Sequence, residues 1–174
     1  DDAPTGTSYR QRNQMFRNDS GKFYDVTSDA GPGLQVKKVS RGASFGDYDN
    51  DGDMDIVIVN LNDTPTLLRN NSSDEDYWLI VRVEGTNDNR DGAGAQVRVH
   101  TGSRSQLRAI DSSGSYLSAN DIRAHFGVGS STVADSVVVT WLDGSRTLAS
   151  TVPMNKILYF KQGSKPVLRE LSTL

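Results

Sequence analysis

The chain has 174 residues, with 22 Asp and Glu against 19 Lys and Arg, a hydrophobic fraction of 35% and no Cys. That length holds one medium domain or two small ones, and the missing Cys excludes a disulfide framework and any thiolate metal site. No apolar run is long enough to cross a membrane as a helix, and no signal-peptide pattern is present in these residues.

Residues 1–76 carry 14 acidic and 8 basic side chains, whereas residues 77–174 carry 8 and 11. Arginines of the second half, among them Arg82, Arg90, Arg98, Arg104, Arg108 and Arg123, are scattered rather than massed, so no nucleic-acid partner is expected. Short apolar runs and 16 Gly favour strands joined by turns over a helical bundle.

In chain order, residues 13–18 form a short apolar segment ending in Arg17-Asn18, and residues 21–27 alternate as a strand does. Gly42-Ala43-Ser44-Phe45-Gly46 matches Gly-x-Ser-x-Gly, the nucleophile elbow of α/β-hydrolases. That elbow needs a helix after it, and here an acidic loop and a strand follow, so Ser44 is read as a strand residue. A hydrolase using Ser44 is kept only as a minor alternative.

The acidic loop is the most informative stretch. Five Asp occupy nine residues, Asp47, Asp49, Asp51, Asp53 and Asp55, with Gly52 after the third. Turn chemistry does not require so much like charge, and a hard cation with several oxygen ligands would neutralise it. Calcium suits the alternate spacing, magnesium less so because it prefers to keep its waters. The carboxylates of Asp47, Asp49, Asp51 and Asp55 and the backbone carbonyl of Asp53 are the predicted ligands. An EF-hand would need a Glu at its twelfth position and flanking helices. Here that position is Ile58, inside the β-branched run 56–59, so the prediction is a strand–loop–strand calcium site.

Residues 65–70 resemble residues 13–18 at an offset of 52, again ending in Arg-Asn. A period of about 50 residues containing strands suggests propeller blades. The first copy has no acidic loop before it, so the chain is expected to be the end of a longer protein. Fewer than two blades cannot close a ring, and their edges need cover from the second domain, another chain or missing blades. Sequons at Asn18, Asn62, Asn70 and Asn71 fit a chain rich in polar turns.

From Tyr77 the pattern changes to strands over 77–83, 95–100, 105–110, 123–126, 136–141 and 156–160, separated by turns. This spacing predicts a β-sandwich or barrel of about 90 residues. The expected organisation is a repeat region over 1–72, a polar linker, a β domain over 77–162 and a tail over 163–174. His100 and His125 are the only histidines, which excludes a multi-His zinc site; His125 is expected to fix a turn. In the loop 89–95, Asn89, Arg90 and Asp91 form a candidate ligand surface, Arg90 pairing with Asp88 or Asp91 around a carboxylate or sugar hydroxyl. The competing reading is a tight turn whose glycines serve packing. Trp141 or Tyr116 is the candidate stacking platform for a glycan. Gly127-Val128-Gly129-Ser130-Ser131-Thr132 fails as a phosphate loop for want of a Lys.

Three segments, Asn13 to Asn18, Gly21 to Thr27 and Gly42 to Asp55, resemble FG-GAP/VCBS repeats, the integrin-α-type propeller blades with calcium loops. Gly85 to Val97, Gly114 to Ser118, His125 to Gly129 and Val139 to Gly144 resemble the ASPIC/UnbV domain that follows such repeats in secreted proteins. The chain departs from that family in lacking most of a propeller and any Cys-rich EGF-like tail. The resemblance implies an all-β protein: partial propeller-type blades, then a sandwich or barrel-like domain. It implies a non-enzymatic, calcium-binding adhesion or recognition module. Its place would be extracellular or at the cell surface, periplasmic or secreted if bacterial, and its partner a protein or glycan. Exposed strand edges would allow a homo-oligomer.

Overall fold

The computed structural model describes residues 8–72, 76–86, 89–111 and 113–169. Those residues form fifteen strands and one 3-10 turn, Pro32–Gln35, with no other helix among them. The fold is all-β, as the turn-rich composition requires.

In the first part, β1 (Gln11–Arg12) pairs with β4 (Lys37–Lys38), and β2 (Phe16–Asp19) forms a hairpin with β3 (Lys22–Asp25). The motif that closes the hairpin is locked by side chains. The Met15 N–H donates to the Thr27 hydroxyl at 2.9 Å, and Thr27 donates through its N–H and its hydroxyl to Asp25. Those bonds from Thr27, side chain first, hold the Asp25 carboxyl below its ordinary value, and Thr27 itself is fully buried. A three-stranded antiparallel sheet follows, in the order β5 (Ser40–Gly46), β6 (Asp55–Asn60), β7 (Thr66–Leu68). Gly46 pairs with Asp55, so the acidic loop is the tip of the β5–β6 hairpin and its two ends are tied by the sheet.

The second part is a β-sandwich rather than a closed barrel. One sheet has the order β10 (Arg104–Ala109), β9 (Gln96–Thr101), β12 (Val133–Thr140), β13 (Arg146–Pro153). The other has β11 (Ala124–Gly129), β8 (Tyr77–Glu84), β14 (Lys156–Lys161), β15 (Val167–Arg169). Alternation along the strands builds the core: Leu79, Val81 and Val83 from β8 meet Val97 and Val99 from β9, Val137 and Val139 from β12, Phe126 from β11 and Phe160 from β14. The first half of strand β8 is buried on both faces, because Trp78 and Ile80 form a second, smaller cluster with Ile157 on the far side of the sheet. That reading fits its unbroken apolar run and its parallel pairing with β14.

Two strands of the second part escaped the sequence reading, as did the two-residue strands β1 and β4 of the first. Strand β13 is polar at half its positions and mostly exposed, which hides its alternation. Strand β15 lies in the segment read as a tail and pairs with β14 through Val167, Leu168 and Arg169.

The outer edge of β5 is covered by residues 118–121 of the second part. The N–H groups of Ala43 and Phe45 donate to Ser118 Oγ and Asn120 Oδ1, both at 3.0 Å, and the Asp121 N–H donates to the Phe45 carbonyl at 2.9 Å. Two side chains at a spacing of two residues thus stand in for a neighbouring strand.

Truncating the core should be costly. Phe126→Ala is expected to lower stability by about 3–5 kcal/mol. Leu148→Ala, 57% exposed on β13, should shift it by no more than about 0.5 kcal/mol. Urea unfolding of the two variants checks the contrast.

Candidate metal centre

The loop curls because its carboxylates accept its own amides. Asp47, almost fully buried, accepts the N–H groups of Asp51 at 3.1 Å and Gly52 at 2.9 Å. Asp55, equally buried, accepts from Tyr48 in the loop at 3.2 Å and from Asn70 beyond β7 at 2.8 Å. Asn50 and Gly52 supply the left-handed residues of the curl, at φ 60° and 100°. The result brings carboxylate oxygens of Asp47, Asp49 and Asp55 within 4.8 Å of one another.

Charge balance in this cluster is incomplete. Burial raises the Asp47 carboxyl above its ordinary value; the Gly52 N–H opposes the shift and the Asp51 charge adds to it. Arg69 bridges Asp49 at 2.9 Å and Asp51 at 3.3 Å from a half-exposed position. Its partners, Asp51 by hydrogen bonding and Asp49 by charge, raise the guanidinium above its ordinary value. The second oxygen of Asp49, Oδ1, is buried without a hydrogen-bond partner. An orphaned anionic acceptor beside two buried carboxylates fits a hard cation in both charge and donor chemistry.

The second part of the chain grips the loop from the other side. Arg123 donates through Nη1 to Asn50 Oδ1 at 2.7 Å and through Nη2 to the Asp47 carbonyl at 2.8 Å, while its Nε donates to Asp121 at 2.7 Å. His125 Nε2 lies 2.7 Å from the Gly52 carbonyl, which can only accept, so that nitrogen carries the proton. Trp78 stacks near His125, with ring centroids 6.5 Å apart, and its indole lies against Gly52.

The structure sorts the residues singled out in the sequence. Asp47, Asp49 and Asp55 converge. Asp51 instead accepts from Asp53 N–H and Arg69, and the Asp53 carboxylate accepts from Ser72 at 3.0 Å. Arg69, Asn70, Arg123 and His125 were not assigned to the site. The Arg-Asn ending of the internal repeat was a signal for the first two, while nothing local marks Arg123.

Trp141 requires a correction: it is 4% exposed, sits in the sandwich core and donates through Nε1 to Thr147, so it offers no stacking face. Tyr116, by contrast, is 73% exposed. In the loop 89–95, Asn89 accepts the Asp91 N–H, an Asx-turn bond, and Asp91 forms an exposed ion pair with Arg82 of β8 at 3.2 Å; Arg90 is exposed. Asp88 lies outside the described residues. Ser44 Oγ accepts the Ala119 N–H at 3.3 Å from within β5, a strand that runs into the loop and not into a helix.

Two family models match the chain. Residues 5–58 match the model of an FG-GAP-like repeat, and residues 85–167 match the model named ASPIC and UnbV. Cartilage acidic protein 1 of Mus musculus is 33% identical over 152 residues, covering 83% of this chain and 23% of that protein. The Homo sapiens protein of the same name is 33% identical over 152 residues, with 22% of its length covered. The chain therefore spans under a quarter of the length of these relatives.

A side chain at position 52 has no room. A Cβ there would lie 1.9 Å from Trp78 Nε1, on a backbone at φ 100°. Gly52→Ala should lose about 1–2 kcal/mol from the backbone conformation alone, and more from the displaced indole. Thermal unfolding with Trp fluorescence as the probe measures both.

Proposed function

This chain joins an FG-GAP-like repeat to an ASPIC and UnbV domain, and on that basis we propose that it is a calcium-stabilised recognition module working outside the cell or at its surface. The observation that carries the reading is the buried, unpartnered Asp49 Oδ1 beside the buried carboxylates of Asp47 and Asp55. These three residues would hold the ion, joined by the Asp51 carboxylate and the Asp53 carbonyl as the loop spacing suggests. The ion would neutralise the cluster and fix the β5–β6 hairpin; it performs no chemistry here. The proposed role is non-enzymatic adhesion or recognition, with a protein or glycan partner. No described helix is long and apolar enough to cross a membrane.

Extracellular calcium modules commonly bind at about 0.1–1 mM. At calcium ten times the Kd, linkage predicts about 1.4 kcal/mol of added stability. For a chain of this size that is a rise of roughly 3–6 °C in Tm. EDTA should abolish the rise, and Asp49→Ala should melt alike with and without calcium. Identical wild-type melts in EDTA and in calcium, together with no binding heat in calorimetry, would sink the proposal.

A further inference from the structure

The contacts made by Arg123 have a sign that simple electrostatics does not explain. A guanidinium beside an acidic cation site repels the cation, so on charge alone Arg123 should weaken the centre. Yet this side chain is only 20% exposed, and each arm of its fork is used on something other than a metal-ligating carboxylate. Nη1 bonds the Asn50 side chain and Nη2 the Asp47 backbone carbonyl, while Nε, with help from Nη2, is fixed on Asp121. Asp121 also accepts the Arg123 N–H at 2.9 Å, so the fork is oriented before it meets the loop. Burial opposes the charge of Arg123, but bonding to Asp121 and the charges of Asp121 and Asp47 outweigh it, and the group is held above its ordinary value.

Strand alternation places a second grip two residues on. Ala124, Phe126 and Val128 of β11 face the sandwich core, so Arg123 and His125 face the other way, toward the loop. His125 fixes the Gly52 carbonyl, and Trp78 closes over Gly52. The loop is thereby held by its backbone at Asp47 and Gly52 and by the Asn50 side chain, around and between the proposed ligands. A loop with this curl offers its carboxylates to one centre; a relaxed loop would spread them by like-charge repulsion.

We propose that Arg123 is a positioning residue for the metal loop, and that cation binding and docking of the sandwich onto the repeat form one coupled equilibrium. This rests on the calcium reading above. Coupling is reciprocal: a docked sandwich raises calcium affinity, and bound calcium tightens docking by the same factor.

The test is calorimetric titration of calcium into the full chain and three variants. Arg123→Gln removes the fork, Asn50→Gly removes its acceptor while tolerating the left-handed backbone, and Arg98→Gln removes a similar charge that instead bonds Ser105. Both loop-contact variants should bind calcium at least about tenfold more weakly, as outer-sphere partners commonly do, and Arg98→Gln should bind as wild type. Combining Arg123→Gln with Asn50→Gly should add little, since one bond joins them. Hydrogen exchange supplies the second readout: calcium should slow exchange over residues 121–125 in wild type and not in Arg123→Gln.

Equal or tighter calcium binding by Arg123→Gln, the result charge alone predicts, overturns the proposal. So does exchange over 121–125 that ignores calcium in wild type. If wild type binds no calcium, the calcium reading falls and takes the coupling with it. If wild type binds and Arg123→Gln binds equally, only the coupling falls. Should Arg123→Gln fail to fold, Asn50→Gly carries the same comparison.

Discussion

Five aspartates in nine residues cannot sit together unless something opposes their charge, and much of the structure around them does so. The loop's own amides answer part of it, Arg69 answers another part from beyond β7, and Arg123 approaches from the sandwich. The oxygen left over on Asp49 marks where these measures stop. Burial makes the balance demanding: Asp47 and Asp55 are almost fully enclosed, where an unpaired charge is far more costly than at the surface. The tip of one hairpin therefore sets conditions on β7, on β11 and on the contact between the two parts of the chain.

That contact explains a peculiarity of the sandwich. Its sheet β11-β8-β14-β15 packs against the other sheet with one face and meets the acidic loop with part of the other. The first half of β8 is therefore covered on both sides, while Arg82 and Glu84 farther along reach solvent. The sandwich core is extensive and self-consistent, whereas few of the buried apolar residues, Leu34, Val39 and Ile58, come from the first part. The first part leans on locks of the Thr27–Asp25 kind, on the loop, and on the sandwich. Its integrity is tied to polar contacts more than to buried area.

Most of the fold was legible because its signals are local. Short apolar and β-branched runs between turns found β8, β9, β10, β12 and β14, the Asp143-Gly144 turn is visible as such, and the acidic spacing located the loop. The FG-GAP and ASPIC/UnbV motifs are dense in Gly, Asp and aromatic residues at positions the backbone constrains. Strand β13 was hidden because its outer face mixes Leu148 with Arg146 and Ser150 and its inner face buries little. Trp141 was misjudged because a Trp at the end of a strand looks alike from sequence whether it faces the core or solvent. Arg123, Asn120 and Ser118 were invisible for a different reason: their partners lie about 75 residues away and no local pattern announces a contact of that range.

The side chains laid along β5 have one further consequence. Ser118 and Asn120 occupy the amides that an incoming strand would need, and they satisfy them without offering a ladder of their own. That side of the β5-β6-β7 sheet is therefore a terminus: no further strand can join it while the sandwich is seated. Lateral extension is left to the side of β7, which has no strand partner beyond β6 among the described residues. The sandwich thus makes growth of this sheet one-sided, blocking the β5 edge and leaving the β7 edge as the place where a strand could add.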